Sequence, residues 1–176
     1  ENIIEIQSGA FNNCTNLKNV YYNCNNCPMV IGNYAFANCS SLSSVTLTCQ
    51  SIGKNAFSSC SNLQTVVLYD VKTIGSSAFI NCDIKTASIP STITNIGSYA
   101  FYGCGSLRSI EIPEGVTKLE GQMFVGCTSL TEVVLPQKIT SIETSTFNGC
   151  SNLTKITFAY GMTKVPDYMC YKADTL

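Results

Sequence analysis

The stretch AFSSCSNLQTVVL, from Ala56 to Leu68, returns as AFANCSSLSSVTL from Ala35, as AFYGCGSLRSIEI from Ala100 and as MFVGCTSLTEVVL from Met123. Followed along the chain, the frame is anchored by Phe11, Phe36, Phe57, Phe79, Phe101, Phe124 and Phe147, at spacings of 25, 21, 22, 22, 23 and 23 residues. An eighth frame runs to the end, with Cys170 in the phenylalanine slot and Leu176 in the leucine slot. Five residues before each anchor stands an aliphatic residue: Ile6, Ile31, Ile52, Ile74, Ile96, Leu119, Ile142 and Val165. Six residues after the anchor stands Leu17, Leu42, Leu63, Leu107, Leu130 or Leu153. In the fourth unit Ile84 takes that slot one position early, so a residue is missing and a local kink or bulge is expected there.

Two periodicities alternate inside each unit. The V-x-L segment, as in Val66 and Leu68 or Val133 and Leu135, has the period of a strand and is rich in β-branched residues. The A-F-x-x-C segment places Ala, Phe and Cys at offsets that share one face of a helical turn, so a helical turn is expected there. A second short strand is expected just before it, as in Val116 to Leu119. The residue ahead of the cysteine is Asn13, Asn38, Ser59, Asn81, Gly103, Gly126 or Gly149. Gly and Asn tolerate left-handed backbone best, so this slot is expected to be left-handed. Pro90, Pro113 and Pro136 each follow a V-x-L strand and stop it. A unit this short cannot bury its own apolar face, whereas stacked copies can, with equivalent side chains forming continuous ladders.

A period of about 20–25 residues built of strand plus helical turn is the leucine-rich-repeat solution. The unit I-G-x-x-A-F-x-x-C-x-x-L-x-x-V-x-L, seen from Ile52 to Leu68, resembles the BspA-like subgroup of leucine-rich repeats, typical of surface proteins of host-associated bacteria and mucosal protists. The resemblance covers essentially the whole chain and departs at the shortened fourth unit, at the insertion Tyr21 to Pro28 and at the degenerate last unit. It implies a curved solenoid with a parallel sheet on its concave side, adhesion or protein binding as the function, and a cell-surface or secreted location. It brings no catalytic residues. The expected fold is thus a leucine-rich-repeat solenoid, a right-handed curved stack of about seven to eight units. Short parallel strands line its concave side; helical turns and short second strands form the other. Residues 1–176 read as a single array. The first unit opens without a preceding sheet strand and the last stops inside a unit, with no polar capping repeat at either end. The chain is therefore expected to be a fragment of a longer array, and its uncapped ends to allow end-to-end self-association.

Composition narrows the chemistry. The chain has 176 residues, 45% of them hydrophobic and only 12% charged, with a net charge of -1. That balance argues against a nucleic-acid grip, which needs clustered Lys and Arg. No apolar run approaches the ~20 residues of a membrane span. There is no histidine, which excludes Ser-His-Asp and Cys-His catalysis and imidazole zinc sites. Glu111, Glu114, Glu120, Glu132 and Glu143 fall on successive units and read as a solvated face, not an acid–base pair. The I-G pairs belong to the repeat and make no phosphate loop. No cofactor is implied. The sequons at Asn13, Asn38 and Asn152 follow from the repeat itself, the N-C-S/T frame producing the first two.

Seven cysteines hold the repeat slot: Cys14, Cys39, Cys60, Cys82, Cys104, Cys127 and Cys150. Stacked strands repeat at about 4.7–4.9 Å with equivalent side chains parallel. A disulfide wants Cβ atoms about 3.8 Å apart and turned towards each other. The ladder thiols are therefore expected to be free and buried, small hydrophobes whose S–H reaches nearby backbone carbonyls. Outside the ladder stand Cys24, Cys27, Cys49 and Cys170. Cys24 and Cys27 form a C-x-x-C in the insertion, but redox work would need a helix N-terminus and structural zinc two further ligands. A local disulfide involving Cys24, Cys27 or Cys49 fits an extracellular chain better.

Two functions compete ahead of catalysis: a protein-binding module and a passive stalk or spacer. A spacer would repeat its outward residues, whereas the row Tyr21, Thr46, Val67, Ser88, Glu111, Val134 and Thr157 changes at every unit. The expected contact surface adds Tyr69, Lys85, Arg108, Glu132 and Lys155, with Tyr21 and Tyr69 as anchors. The charges among these could pair between neighbouring rungs. The expected partner is a protein of host matrix or host cell surface.

Overall fold

The structure, a computed structural model, describes residues 3–24 and 28–172. In chain order its strands are β1 (Glu5–Ile6), β2 (Asn19–Tyr22), β3 (Val30–Ile31), β4 (Ser44–Thr48), β5 (Ser51–Ile52), β6 (Thr65–Tyr69), β7 (Thr73–Ile74), β8 (Thr86–Ser88), β9 (Asn95–Ile96), β10 (Lys118–Leu119), β11 (Glu132–Val134), β12 (Ser141–Ile142) and β13 (Lys155–Thr157). The long strands, one from each of six units, come from the V-x-L segments; the two-residue strands end at the aliphatic five residues before the anchor. Every pairing is parallel and joins equivalent segments of neighbouring units. Val20, Val45, Val66 and Ala87 stand in one register, and Ile6, Ile31, Ile52, Ile74 and Ile96 in another. The chain is a parallel β-solenoid whose rungs are the repeat units.

Between the two sheets the anchors form a spine. Phe11, Phe36, Phe57, Phe79, Phe101, Phe124 and Phe147 stack with ring centroids 5.0–5.6 Å apart and planes within 11° of parallel. Parallel rings this far apart are offset, the arrangement their quadrupoles favour. From Phe36 to Phe147 the rings are fully buried, while Phe11, on the first rung, keeps 41% of its surface exposed.

The expected helical turn is not there: among the described residues no helix forms. The A-F-x-x-C segment is a run of β-turns. Ala56 N–H donates to Gly53 O, Ser58 N–H to Asn55 O and Cys60 N–H to Phe57 O. The intervening N–H groups of Asn55, Phe57 and Ser59 turn outward along the stack and donate to Ser76, Ala78 and Ile80 of the next rung at 2.8–3.0 Å. A helix would close all these bonds within one unit and leave no ladder. The first and last of these turns carry a left-handed residue at their third position, Asn55 and Ser59. Asn13, Asn38, Ser59, Asn81, Gly103, Gly126 and Gly149 all have φ between +57° and +72°, as expected from the sequence. A second left-handed row lies four residues earlier, at Gly9, Tyr34, Asn55, Ser77, Tyr99, Gln122 and Ser145.

The I-G glycines serve a different need. A Cβ on Gly32, Gly53, Gly75 or Gly97 would sit 2.5–2.7 Å from backbone atoms of the preceding rung. In the sixth unit this slot becomes Glu120, and there the short sheet divides into β1-β3-β5-β7-β9 and β10-β12. A Cβ cannot enter that spacing unless the rung shifts. The long sheet divides nearby, into β2-β4-β6-β8 and β11-β13. Its break follows the shortened fourth unit, where Ile84 is fully buried in the leucine slot and β8 keeps only three residues. Spine and cysteine ladder run through both breaks.

Candidate interaction surface

On the long sheet, Tyr21, Thr46, Val67 and Ser88 stand in one register, and Val134 pairs with Thr157. Glu111 occupies the fifth rung outside any strand; Ser109 makes one bridge to Glu132. The alternation of the pleat turns these side chains away from the core while Val45, Leu47, Val66, Leu68, Val133 and Leu135 turn in. Tyr21 is 72% exposed, Val134 51% and Tyr69 47%, and Lys85, Ser88, Arg108, Glu132, Lys155 and Thr157 are exposed as well. Thr46 and Val67 are half-buried between their neighbours.

Part of this face is occupied by its own rung-to-rung bonds. The hydroxyls of Ser43 and Ser44 both donate to Asn19 Oδ1, at 3.2 and 2.7 Å, and Lys85 Nζ donates to Gln64 Oε1 at 3.1 Å. Lys155 pairs with Glu132 at 3.2 Å. Both groups are well exposed, so the pair contributes ~0–1 kcal/mol. Arg108 and Glu111 form no ion pair with a described residue. The other ion pairs among the described residues lie on the short-sheet side, where Lys118 bridges Glu120 at 3.4 Å and Glu143 at 3.1 Å.

The cysteine ladder is a structural element of the core. Each thiol donates to the carbonyl of the phenylalanine on the rung before: Cys39 to Phe11, Cys60 to Phe36, Cys82 to Phe57, Cys104 to Phe79, Cys127 to Phe101 and Cys150 to Phe124, at 3.1–3.3 Å. The same carbonyl takes the N–H of its own rung's cysteine, for example Cys60 N–H to Phe57 O. Burial pushes the Cys39 thiol up to about 11 and those of Cys104 and Cys150 to about 12, which makes them poor nucleophiles. Cys14 departs from the expectation. It lies on the first rung with no rung before it in the described chain, and it is exposed.

Native-state labelling with a maleimide should therefore modify Cys14 within minutes and leave the six thiols from Cys39 to Cys150 unmodified until the chain is unfolded. Fast native labelling of Cys104 or Cys127 would contradict the packing. Outside the ladder, Cys24 is disulfide-bonded, whereas Cys49 is free and fully buried in a row with Val71, Ile93 and Val116. Cys27, and with it the other half of the C-x-x-C, lies outside the described residues, as does Leu176. Among the described residues no group of three or more His, Cys, Asp or Glu is placed to hold a metal ion. Among the described residues no helix is long and apolar enough to cross a membrane.

A stack of parallel rungs with an aromatic spine, leucine and valine rows facing it and a variable outer sheet defines a leucine-rich-repeat solenoid. The chain belongs to the BspA type leucine rich repeat family, whose model matches in six copies over residues 1–104 and 72–176. Among solved structures it is similar to a leucine-rich repeat protein from Bacteroides ovatus, with a TM-score of 0.86 and 29% identity over 95% of this chain and 44% of that one. It is similar to a T. pallidum leucine rich repeat protein, with a TM-score of 0.73 and 29% identity over 85% of this chain and 71% of that one. A leucine rich cell surface protein from Faecalibacterium prausnitzii gives a TM-score of 0.53 and 27% identity over 98% of this chain and 65% of that one. The chain thus spans less than half of the Bacteroides ovatus protein. No curated protein matches it at a significant level.

Proposed function

We propose that the chain is a non-enzymatic protein-binding or adhesion module of a surface or secreted protein, taking its partner on the outward face of the long sheet. The observation that carries this reading is the contrast between rows in register. Inward, valine and leucine recur from rung to rung; outward, Tyr21, Thr46, Val67, Ser88, Val134 and Thr157 all differ in size or polarity from their neighbours. Folding constrains the first set and leaves the second free. Tyr21 and Tyr69 provide rigid amphipathic contact area, and Arg108 a cation with no ion pair among the described residues, the residue types that dominate binding energy at interfaces. The partner is a protein of host matrix or host cell surface, and the likeness to a cell surface protein supports that setting.

The stalk reading keeps one observation of its own. Ser43, Ser44, Thr131 and Thr154 direct their hydroxyls to the preceding rung, so part of the face serves the stack. Pull-down with the purified chain against matrix and cell-surface proteins separates the two. With a partner in hand, Tyr69→Ala and Arg108→Ala should each weaken binding about tenfold or more, the ~1.4 kcal/mol of a modest hot spot. The melting temperature should stay within about 2 °C, since surface changes cost little stability. Lys54→Ala, on an exposed turn, should bind normally. If only Lys54→Ala reduces affinity, the long-sheet assignment is wrong.

A further inference from the structure

The repeat shows what pairs with a short strand. In five rungs the N–H just past the short-strand aliphatic donates to the equivalent aliphatic carbonyl one rung earlier. Gly32 donates to Ile6, Gly53 to Ile31, Gly75 to Ile52, Gly97 to Ile74 and Glu143 to Leu119, at 2.7–2.9 Å. Two residues before the aliphatic comes a second bond: Thr94 N–H to Lys72 O at 2.9 Å, and Thr140 N–H to Thr117 O at 2.8 Å. The last rung should continue both onto Thr140 and Ile142. At the required position it carries Pro166, which has no N–H to give.

Three features accompany it. No described backbone N–H reaches the carbonyl of Thr140 or Ile142. Residues 162–166 form no strand, and Val165 is 53% exposed where its counterparts from Ile31 to Ile142 are at most 7% exposed. β12 is paired by β10 on one side only, and between it and the last rung opens a cleft of about 330 Å³, lined by Thr140, Ile142, Glu143, Met162, Lys164 and Asp167 among others.

We propose that this cleft is a strand-addition site that takes an extended segment of a partner protein, paired in parallel with β12. Two carbonyls two residues apart call for N–H donors at strand spacing, which an extended backbone supplies. Main-chain bonds then provide the affinity and the side-chain pockets the sequence preference. The other rungs suggest that preference: an aliphatic packs over Ile142 in the place that Val165 has left, with a threonine two positions ahead as at Thr94, Thr117 and Thr140, and a glycine after as at Gly32, Gly53, Gly75 and Gly97. The pattern is Thr-x-Ile-Gly, and the array's own Thr94 to Gly97 is an instance of it. Hydroxyl side chains along the cleft, Thr140, Ser141, Thr144 and Thr163, leave room for the strand. This face is distinct from the long sheet, so failure here would leave the long-sheet reading untouched.

The probe is a fluorescein-labelled peptide STITNIGS, copied from Ser91 to Ser98 and titrated against the whole chain by anisotropy. Saturable binding with Kd below about 1 mM is expected, the few kcal/mol that a short strand can supply, with amide exchange slowed at Ser141 to Thr144. N-methylation of the peptide glycine removes the donor for the Ile142 carbonyl and should weaken binding about tenfold, as should Pro166→Gly, which lets the last rung close on β12 itself. The proposal is overturned by absence of saturable binding, by an N-methylated peptide that binds as well as its parent, or by protection confined to β13 or to the first rung.

Discussion

Raising the pH from 8 to 10 should cost the folded chain about 4 kcal/mol through three thiols alone. Cys49, Cys104 and Cys150 are fully buried, and burial pushes each thiol from its ordinary 9.0 up to about 12. Between those values the unfolded chain ionises and the folded chain does not. The folded form then holds more protons, so stability is fully present below about pH 9 and drains away as pH rises towards 12. Each thiol contributes about 1.4 kcal/mol of the loss between pH 8 and pH 10. Cys127, whose thiol burial raises well above the ordinary value, acts in the same direction, while in the hydrogen-bonded pair Cys60 is lowered by its bond to Cys82 and Cys82 is raised by burial, so the two oppose each other. Urea unfolding at the two pH values, under reductant, measures the total. The same experiment on Cys104→Ala isolates one thiol from the titration of tyrosine and lysine: its pH-dependent loss should be smaller by about 1.4 kcal/mol. An unchanged loss would mean that Cys104 ionises as freely folded as unfolded.

Phe101→Ala should destabilise the chain by about 3–5 kcal/mol, the cost of emptying a large site in a packed core. The ring of Phe101 is 1% exposed and lies 5.6 Å from both Phe79 and Phe124, so its removal leaves a gap in the spine with rings on either side. It sits on the rung where both sheets are interrupted, so strand ladders cannot take over the connection there. Phe11→Ala, on the partly exposed first rung, should cost only about 1–2 kcal/mol because less area leaves the core. Equal losses for the two variants by urea unfolding would show that the spine contributes no more at its middle than at its end.

The stack itself was legible in the sequence because its cause is local and repeated. Phenylalanine, cysteine, leucine and the valine–leucine pair each hold a fixed slot, and a slot that recurs in a stack becomes a row. Reading the rows returned the register of both sheets, the spine, the buried thiols from Cys39 onward and the left-handed residue ahead of each cysteine. The variable outer row was legible for the converse reason: it is what remains when the core positions are removed. The missing residue before Ile84 also marked the place after which the long sheet breaks.

The turn segment was misread because offsets of three and four satisfy a helical face and a run of β-turns alike. What separates them is the direction of the N–H groups of Asn55, Phe57 and Ser59, and that is set by carbonyls one period away. The second left-handed row gave little sign, since beside Gly9 and Asn55 its positions hold tyrosine, serine and glutamine, which do not prefer that backbone; the ladder holds them in it. The exposure of Cys14 and Phe11 depends on which rung lies against them, a property of the stack and not of their own frame. The cleft beside β12 depends on Pro166 meeting the Ile142 carbonyl, a partner named by register across two rungs. Sequence determined which side chains line up, because alignment is a matter of spacing. Tertiary structure decided which backbone groups find a partner, because a hydrogen bond between rungs belongs to two units at once.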